Sequence, residues 1–276
     1  MLEPQYARKL LELGFGAVVS PDYQLSPTIS VYDGAVTDSF DAYNWAQNDL
    51  PGLLFKDAKV ELDANRTVTW GHSSGGTLAL LMVDGIITRV FAFTNMFVLN
   101  QAKAPKPPCA ILDLYGVKYL RNPRYHYPAL MPPVELPSKE HQDKIFEQVP
   151  PPVGAPPPIG PTGFDLSKHR NAWFVSQLLK GTAWSSIVQD GDYDRVDPTT
   201  IFSASFPPTM FIHGIEDEIV PLGFSEKAYE ELKSEGVETD LIKVEDVGHG
   251  FEAGKKAGST EYNTVVKGFK FLRAHV

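Results

Sequence analysis

Apolar positions along the chain fall into two rhythms. In residues 4–13, Tyr6, Leu10 and Leu13 share one helical face, and Gly14 follows as a stop. "FGAVVSPDY", 15–23, is a short apolar run between glycine and proline and reads as a buried strand. Helical spacing returns over 39–50, with Pro51 as the breaker. "RTVTWGHS", 66–73, is β-branched and runs into a glycine turn, and 74–83 reads as a helix packed by small residues. Further strands are expected at 109–116, 208–214 and 239–246, with helices at 225–236 and 260–276. Strands alternating with helices predict an α/β fold, its mostly parallel sheet covered by helices on both faces.

The rhythm fails over 117–207. Fifteen of the 23 prolines lie between 105 and 161, and the first clear helix pattern after them is 167–181. A long irregular insertion in a compact domain reads as a lid. The chain is therefore expected to be one domain, 1–276, with a lid insertion at about 117–207. With Trp173, Phe174 and Trp184 the insertion would roof a pocket for a small, moderately apolar molecule.

Composition narrows the function. The chain has 276 residues, 43% hydrophobic, with a net charge of −9, which argues against a nucleic-acid or anionic-membrane surface. The one cysteine, Cys109, can form no internal disulfide, and no leader pattern opens the chain, so a cytoplasmic location is expected. The apolar stretch 85–99 is too short to span a bilayer and carries Arg89. No cluster of cysteines and histidines suggests a metal, and no cofactor is expected.

The chemistry centres on "WGHSSGG", 70–76, which fits G-x-S-x-G around Ser73. Chance supplies that pattern in roughly one chain in ten of this length. A strand before it and a helix after it are the demanding context, and both are expected here. A serine nucleophile needs a base, and the base an orienting carboxylate. Of the seven histidines, His249 sits in a glycine-flanked loop after the strand 239–246. His72 is too near Ser73 in sequence to turn back on it; His126, His141 and His169 lie in the insertion; His275 is terminal; His213 closes a strand. Asp217, between Glu216 and Glu218, follows the strand 208–214 and is the favoured acid, with Asp113 as its rival.

These segments resemble a known family. The order Ser73, Asp217, His249 is that of α/β hydrolases, and "SPDYQLSP" at 20–27 resembles the "DYRLAPE" segment of hormone-sensitive-lipase-like carboxylesterases. "GHSSGG" resembles their "GDSAGG", and "HGIEDEIVP" and "GHGF" resemble loops shared with prolyl-oligopeptidase-like hydrolases. The resemblance implies Ser73 as nucleophile, His249 as base, Asp217 as orienting acid and the Ser74 N–H as oxyanion donor. It implies a serine hydrolase of a small, moderately apolar carboxylic ester. The alternatives are a non-catalytic small-molecule binder or inactive truncated hydrolase, and a peptidase or lactonase.

Two departures stand out. The family's "HGGG" loop, source of most oxyanion donors, is absent, and one lost donor costs about 2.7–4 kcal/mol of transition-state stabilisation. The fold's N-terminal strands are accordingly expected to be missing, which would leave a mid-sheet gap between 15–23 and 67–72. The apolar stretch 87–99 is a candidate replacement strand.

Overall fold

The computed structural model describes residues 3–83, 105–129, 133–154, 159–160 and 163–276; the candidate replacement strand at 87–99 lies outside them. In chain order the elements are α1 (Pro4–Glu12), α2 (Thr37–Asn48), α3 (Leu50–Ala58), β1 (Thr69–His72), α4 (Ser74–Leu81), β2 (Ile111–Leu114), α5 (Lys139–Asp143), β3 (Ile159–Gly160) and β4 (Gly163–Phe164). They continue with α6 (His169–Lys180), α7 (Ala183–Ile187), β5 (Thr209–Gly214), α8 (Leu222–Ser234), β6 (Thr239–Val244) and α9 (Thr260–Ala274). Among the described residues no helix is long and apolar enough to cross a membrane.

Two compact units divide these elements. The first comprises Glu3–Val19, Phe40–Lys118 and Ile201–Val276 and holds a four-stranded sheet in the order β1-β2-β5-β6, parallel throughout. Side chains alternate across it. Trp70, Leu112 and Ile212 face α9, where Phe269 meets the Trp70 ring edge-on at 4.8 Å and Gly268 leaves room for Leu112 and Ile212. Thr69, Asp113 and His213 face the other way: Thr69 bonds the Ala79 carbonyl of α4, and His213 bonds Ser225 of α8. Both faces are therefore covered, and β2 and β5 are buried along their whole lengths.

Each helix shows why it forms and stops. Pro4 opens α1, whose Tyr6 and Leu10 are buried, and Gly14 ends the turn with φ +92°. Ser259 caps α9 by accepting the Tyr262 N–H. Pro51 was expected only as a breaker. α2 does end at Asn48, but Pro51 sits in the first turn of α3, where its missing N–H has no intrahelical partner to lose.

The strand expected at 15–23 does not form. Residues 20–39 instead join Tyr119–Thr200 in the second unit. Gln24 makes a single bridge to Val153; the Leu25 N–H bonds the Pro152 carbonyl at 3.0 Å and the Gly154 N–H the Tyr23 carbonyl at 3.1 Å. The run is apolar enough for a strand, but its neighbour is proline-rich chain, which has few N–H groups with which to extend a ladder. With no strand at 15–23, the expected mid-sheet gap does not open there. Among the described residues β1 is an edge strand.

The second unit has its own core in Ile145, Ala172 and Val175, all 0% exposed. Asp197 organises one end by accepting the Leu120 N–H at 2.6 Å and the Thr199 N–H at 3.0 Å. Arg195 stacks over the Tyr32 ring at 3.7 Å. Trp173 lines a cavity of about 390 Å³ together with Phe146, Gln142 and Gln177, and Trp184 packs edge-on against Tyr125 at 5.4 Å.

Candidate active site

Ser73 occupies the joint between β1 and α4. Its backbone has φ 52° and ψ −125°, a conformation that a residue with a Cβ rarely adopts. Two hydrogen bonds hold the joint: the Ser73 N–H donates to the Leu114 carbonyl at 2.9 Å, and the Gly76 N–H donates to the Ser73 carbonyl at 2.9 Å. A Cβ on Gly71 would lie 2.2 Å from the Gly75 carbonyl oxygen, so β1 and α4 pass within backbone contact. The second glycine of the motif, Gly75, faces open space; the next close approach belongs to Gly76, where a Cβ would meet Asp113 Oδ1 at 2.1 Å.

The structure brings the three distant residues together. His249 Nε2 lies 2.9 Å from Ser73 Oγ, and His249 Nδ1 lies 2.8 Å from Asp217 Oδ2. Asp217 is buried while Glu216 and Glu218 on either side are exposed, which singles it out from the acidic run. Its Oδ1 accepts the backbone N–H groups of Ile219 at 2.9 Å and Val220 at 2.8 Å. Burial opposes the charged form, but the hydrogen bonds from His213, His249 and Val220 outweigh it and hold the carboxyl well below its usual range. An acceptor at Nδ1 fixes the His249 hydrogen there and leaves the Nε2 lone pair to Ser73. Ser74 stands at the first position of α4, directly after Ser73.

The rival acid is engaged elsewhere. Asp113 is fully buried against Lys118, with Oδ2 at 2.5 Å from Nζ and Oδ1 accepting the Gly116 N–H at 2.7 Å. This pair braces the β2–α4 contact, and breaking such a buried pair on one side costs about 3–5 kcal/mol. His126 bonds the Leu120 carbonyl and His275 the Phe271 carbonyl, while the His141 and His169 rings lie against one another at 4.2 Å in the second unit.

Sequence reasoning missed a surrounding layer. Tyr115 presses its ring edge on the His249 imidazole at 4.7 Å, and its hydroxyl donates to the buried Glu252. Burial, reinforced by the Glu252 charge, pushes the Tyr115 hydroxyl well above its ordinary value, so it remains a donor. His72 Nδ1 lies 4.0 Å from the same carboxylate. His213 lies fully buried with Nε2 at 3.2 Å from Asp217 Oδ2. Among the described residues no group of three or more His, Cys, Asp or Glu side chains could hold a metal ion.

Comparison with known proteins agrees with this fold. Residues 5–99 match the family model of the alpha/beta hydrolase fold, and residues 162–274 match that of the prolyl oligopeptidase family. The hyperthermophilic esterase of the archaeon Pyrobaculum calidifontis aligns over 97% of this chain and 67% of its own, with TM-score 0.58 and 21% identity. Esterase 2 of Thermogutta terrifontis aligns over 88% of this chain and 64% of its own, with TM-score 0.51 and 19% identity. By sequence, the non-reducing polyketide synthase ausA of Penicillium brasilianum is 26% identical over all of this chain. The synthase ascC of Acremonium egyptiacum is 27% identical over 98% of it. The chain spans only 12% and 13% of the length of those two relatives. Fold and family model converge: this chain has the α/β-hydrolase fold.

Proposed function

We propose that the chain is a serine hydrolase that cleaves a carboxylic ester through an acyl-enzyme on Ser73. The observation that carries this reading is the continuous line Ser73 Oγ, His249, Asp217, with its two hydrogen bonds of 2.9 and 2.8 Å. Ser73 Oγ attacks the ester carbonyl as its proton passes to His249 Nε2. Asp217, held ionised by its donors, stabilises the imidazolium that forms. The tetrahedral oxyanion takes a hydrogen bond from the Ser74 N–H at the N-terminus of α4. Collapse breaks the carbonyl carbon–oxygen bond, and the alcohol leaves with the proton from His249. Water then repeats the sequence, releasing the acid and restoring Ser73.

A second reading concerns the acyl group. Relatives described as non-reducing polyketide synthases align with 97% to 100% of this chain, which favours a polyketide acyl group carried as an ester or thioester. The same serine accepts an acyl group from oxygen or from sulfur.

The test is turnover of p-nitrophenyl esters of increasing acyl length, of a thioester series, and of a peptide p-nitroanilide. The reading predicts ester hydrolysis that falls at least a thousandfold in Ser73→Ala, because the remaining groups lack a nucleophile. Preference for long, oxygenated acyl thioesters would favour the polyketide reading. Cleavage of the anilide with no ester turnover would replace the ester reading with a peptidase. Folded protein with no turnover of any of them would favour a binder.

A further inference from the structure

Asp217 Oδ2 serves two imidazoles, and only one of them touches Ser73. His249 Nδ1 lies 2.8 Å from that oxygen and His213 Nε2 lies 3.2 Å from it. His213 is 0% exposed at the end of β5, so nothing in solvent can reach it. Its hydrogen placement follows from its neighbours. Nε2 faces two acceptors, Asp217 Oδ2 and the Val220 carbonyl at 2.7 Å, and therefore carries the hydrogen. Nδ1 is then the acceptor and takes the hydroxyl hydrogen of Ser225 at 2.8 Å. Ser225 lies on α8 and is itself fully buried. A chain of contacts thus runs from the α8 helix through an imidazole to the acid of the site.

We propose that His213 is a positioning residue of the hydrolytic site, holding the Asp217 oxygen that in turn holds His249. The proposal rests on the serine-hydrolase reading. The Ile219 and Val220 N–H groups fix Oδ1 alone, so a carboxylate held only by them is free to pivot about that oxygen. His213 removes the pivot. It also competes: the His213 N–H donates to the Val220 carbonyl at 2.7 Å, and its positive end, 3.2 Å from Oδ2, makes that oxygen a weaker acceptor for His249. His213 therefore limits how strongly Asp217 stabilises protonated His249. The other titratable groups around His249 are Tyr115, edge-on to it at 4.7 Å and to His213 at 6.2 Å with its hydroxyl committed to Glu252, and His72, 4.0 Å from that carboxylate.

Three variants separate positioning from bulk support. In His213→Gln the amide nitrogen falls where Nε2 was and still reaches Asp217. In His213→Asn the shorter amide reaches only toward Ser225. Ser225→Ala leaves the ring in place but loosens its aim. The measurements are kcat/KM for p-nitrophenyl butyrate against pH, melting temperature, and the downfield proton resonance of the His249 Nδ1–H. We expect the Gln variant to keep the wild-type acid limb and to lie within about threefold of its kcat. The Asn variant should lose about tenfold in kcat, move the acid limb up by about half a unit, and send the His249 proton further downfield. Ser225→Ala should move each in the same direction by less, which keeps the test open if the Asn variant does not fold.

Gln and Asn variants that melt differently yet share one acid limb and one proton shift would overturn the proposal and leave His213 as packing alone. Wild type that neither turns over the ester nor reacts with a fluorophosphonate would instead sink the hydrolase reading, while the proton shift would still report whether His213 shares the Asp217 oxygen.

Discussion

Ser73 holds its side chain on a backbone with φ 52° and ψ −125°. That conformation costs about 1–3 kcal/mol for a residue with a Cβ and little for glycine. The ordinary order of preference should therefore invert here. Ser73→Gly is expected to melt a few degrees above Ser73→Ala, although glycine loses more chain entropy on folding elsewhere. Thermal unfolding of the two variants checks this; equal melting temperatures would mean the elbow stores no strain. Asp217 offers a pH test. Its carboxyl is held below the usual range in the folded protein, so its contribution is present above the ordinary carboxylate value near ~3.9 and is lost as pH falls below it. Asp217→Asn should lower stability at neutral pH and flatten its decline between about pH 4 and 2, measured by urea unfolding across that range. A decline as steep as wild type would assign the acid sensitivity to other carboxylates. At this scale the three site residues were legible, because each sits in a short loop at a strand end with its chemistry exposed in the motif. His213 was not, because a buried histidine and a packing histidine look alike until the 3.2 Å contact is seen.

At the scale of elements, β1, the elbow and α4 carry the geometry. The motif suggests that both of its glycines matter alike, and the packing says otherwise. Gly71→Ala would drive a Cβ to 2.2 Å from the Gly75 carbonyl oxygen and 2.8 Å from the Gly76 nitrogen, both backbone atoms that cannot rotate away. Gly75→Ala meets nothing within 4 Å. We expect Gly71→Ala to destabilise by about 1–3 kcal/mol or more and to displace Ser73, with Gly75→Ala within about 0.5 kcal/mol of wild type. Chemical denaturation distinguishes them, and a tolerated Gly71→Ala would mean that β1 and α4 can separate. The strands β2 and β5 were readable because each apolar run is bounded by a turn and buried along its length; β6 alternates, with Asp240 and Lys243 exposed. The run at 15–23 carried the same signal without a ladder to join. Only its last residue, Tyr23, with Gln24 and Leu25 beyond it, meets residues 152–154, and nothing local in either segment announces that pairing.

At the scale of the whole molecule, the two family models match different stretches, 5–99 and 162–274. The sequence predicts a lid insertion at about 117–207, and Tyr119–Thr200 form a compact unit with short helices and buried residues of their own, together with residues 20–39. Of its helices α6 is legible in the sequence at 167–181, whereas α5 and α7 are five residues each, too short to show a repeat. The three residues of the site belong to one unit, so its chemistry can be argued from that unit alone. The most direct test of that chemistry is a covalent one. The intact protein is treated with a fluorophosphonate, and the modified peptide is located by mass spectrometry. A serine activated by His249 and Asp217 predicts one stoichiometric adduct on Ser73, formed at least a hundredfold more slowly in His249→Ala. Folded wild-type protein left unmodified, or modified at another residue, would contradict the account.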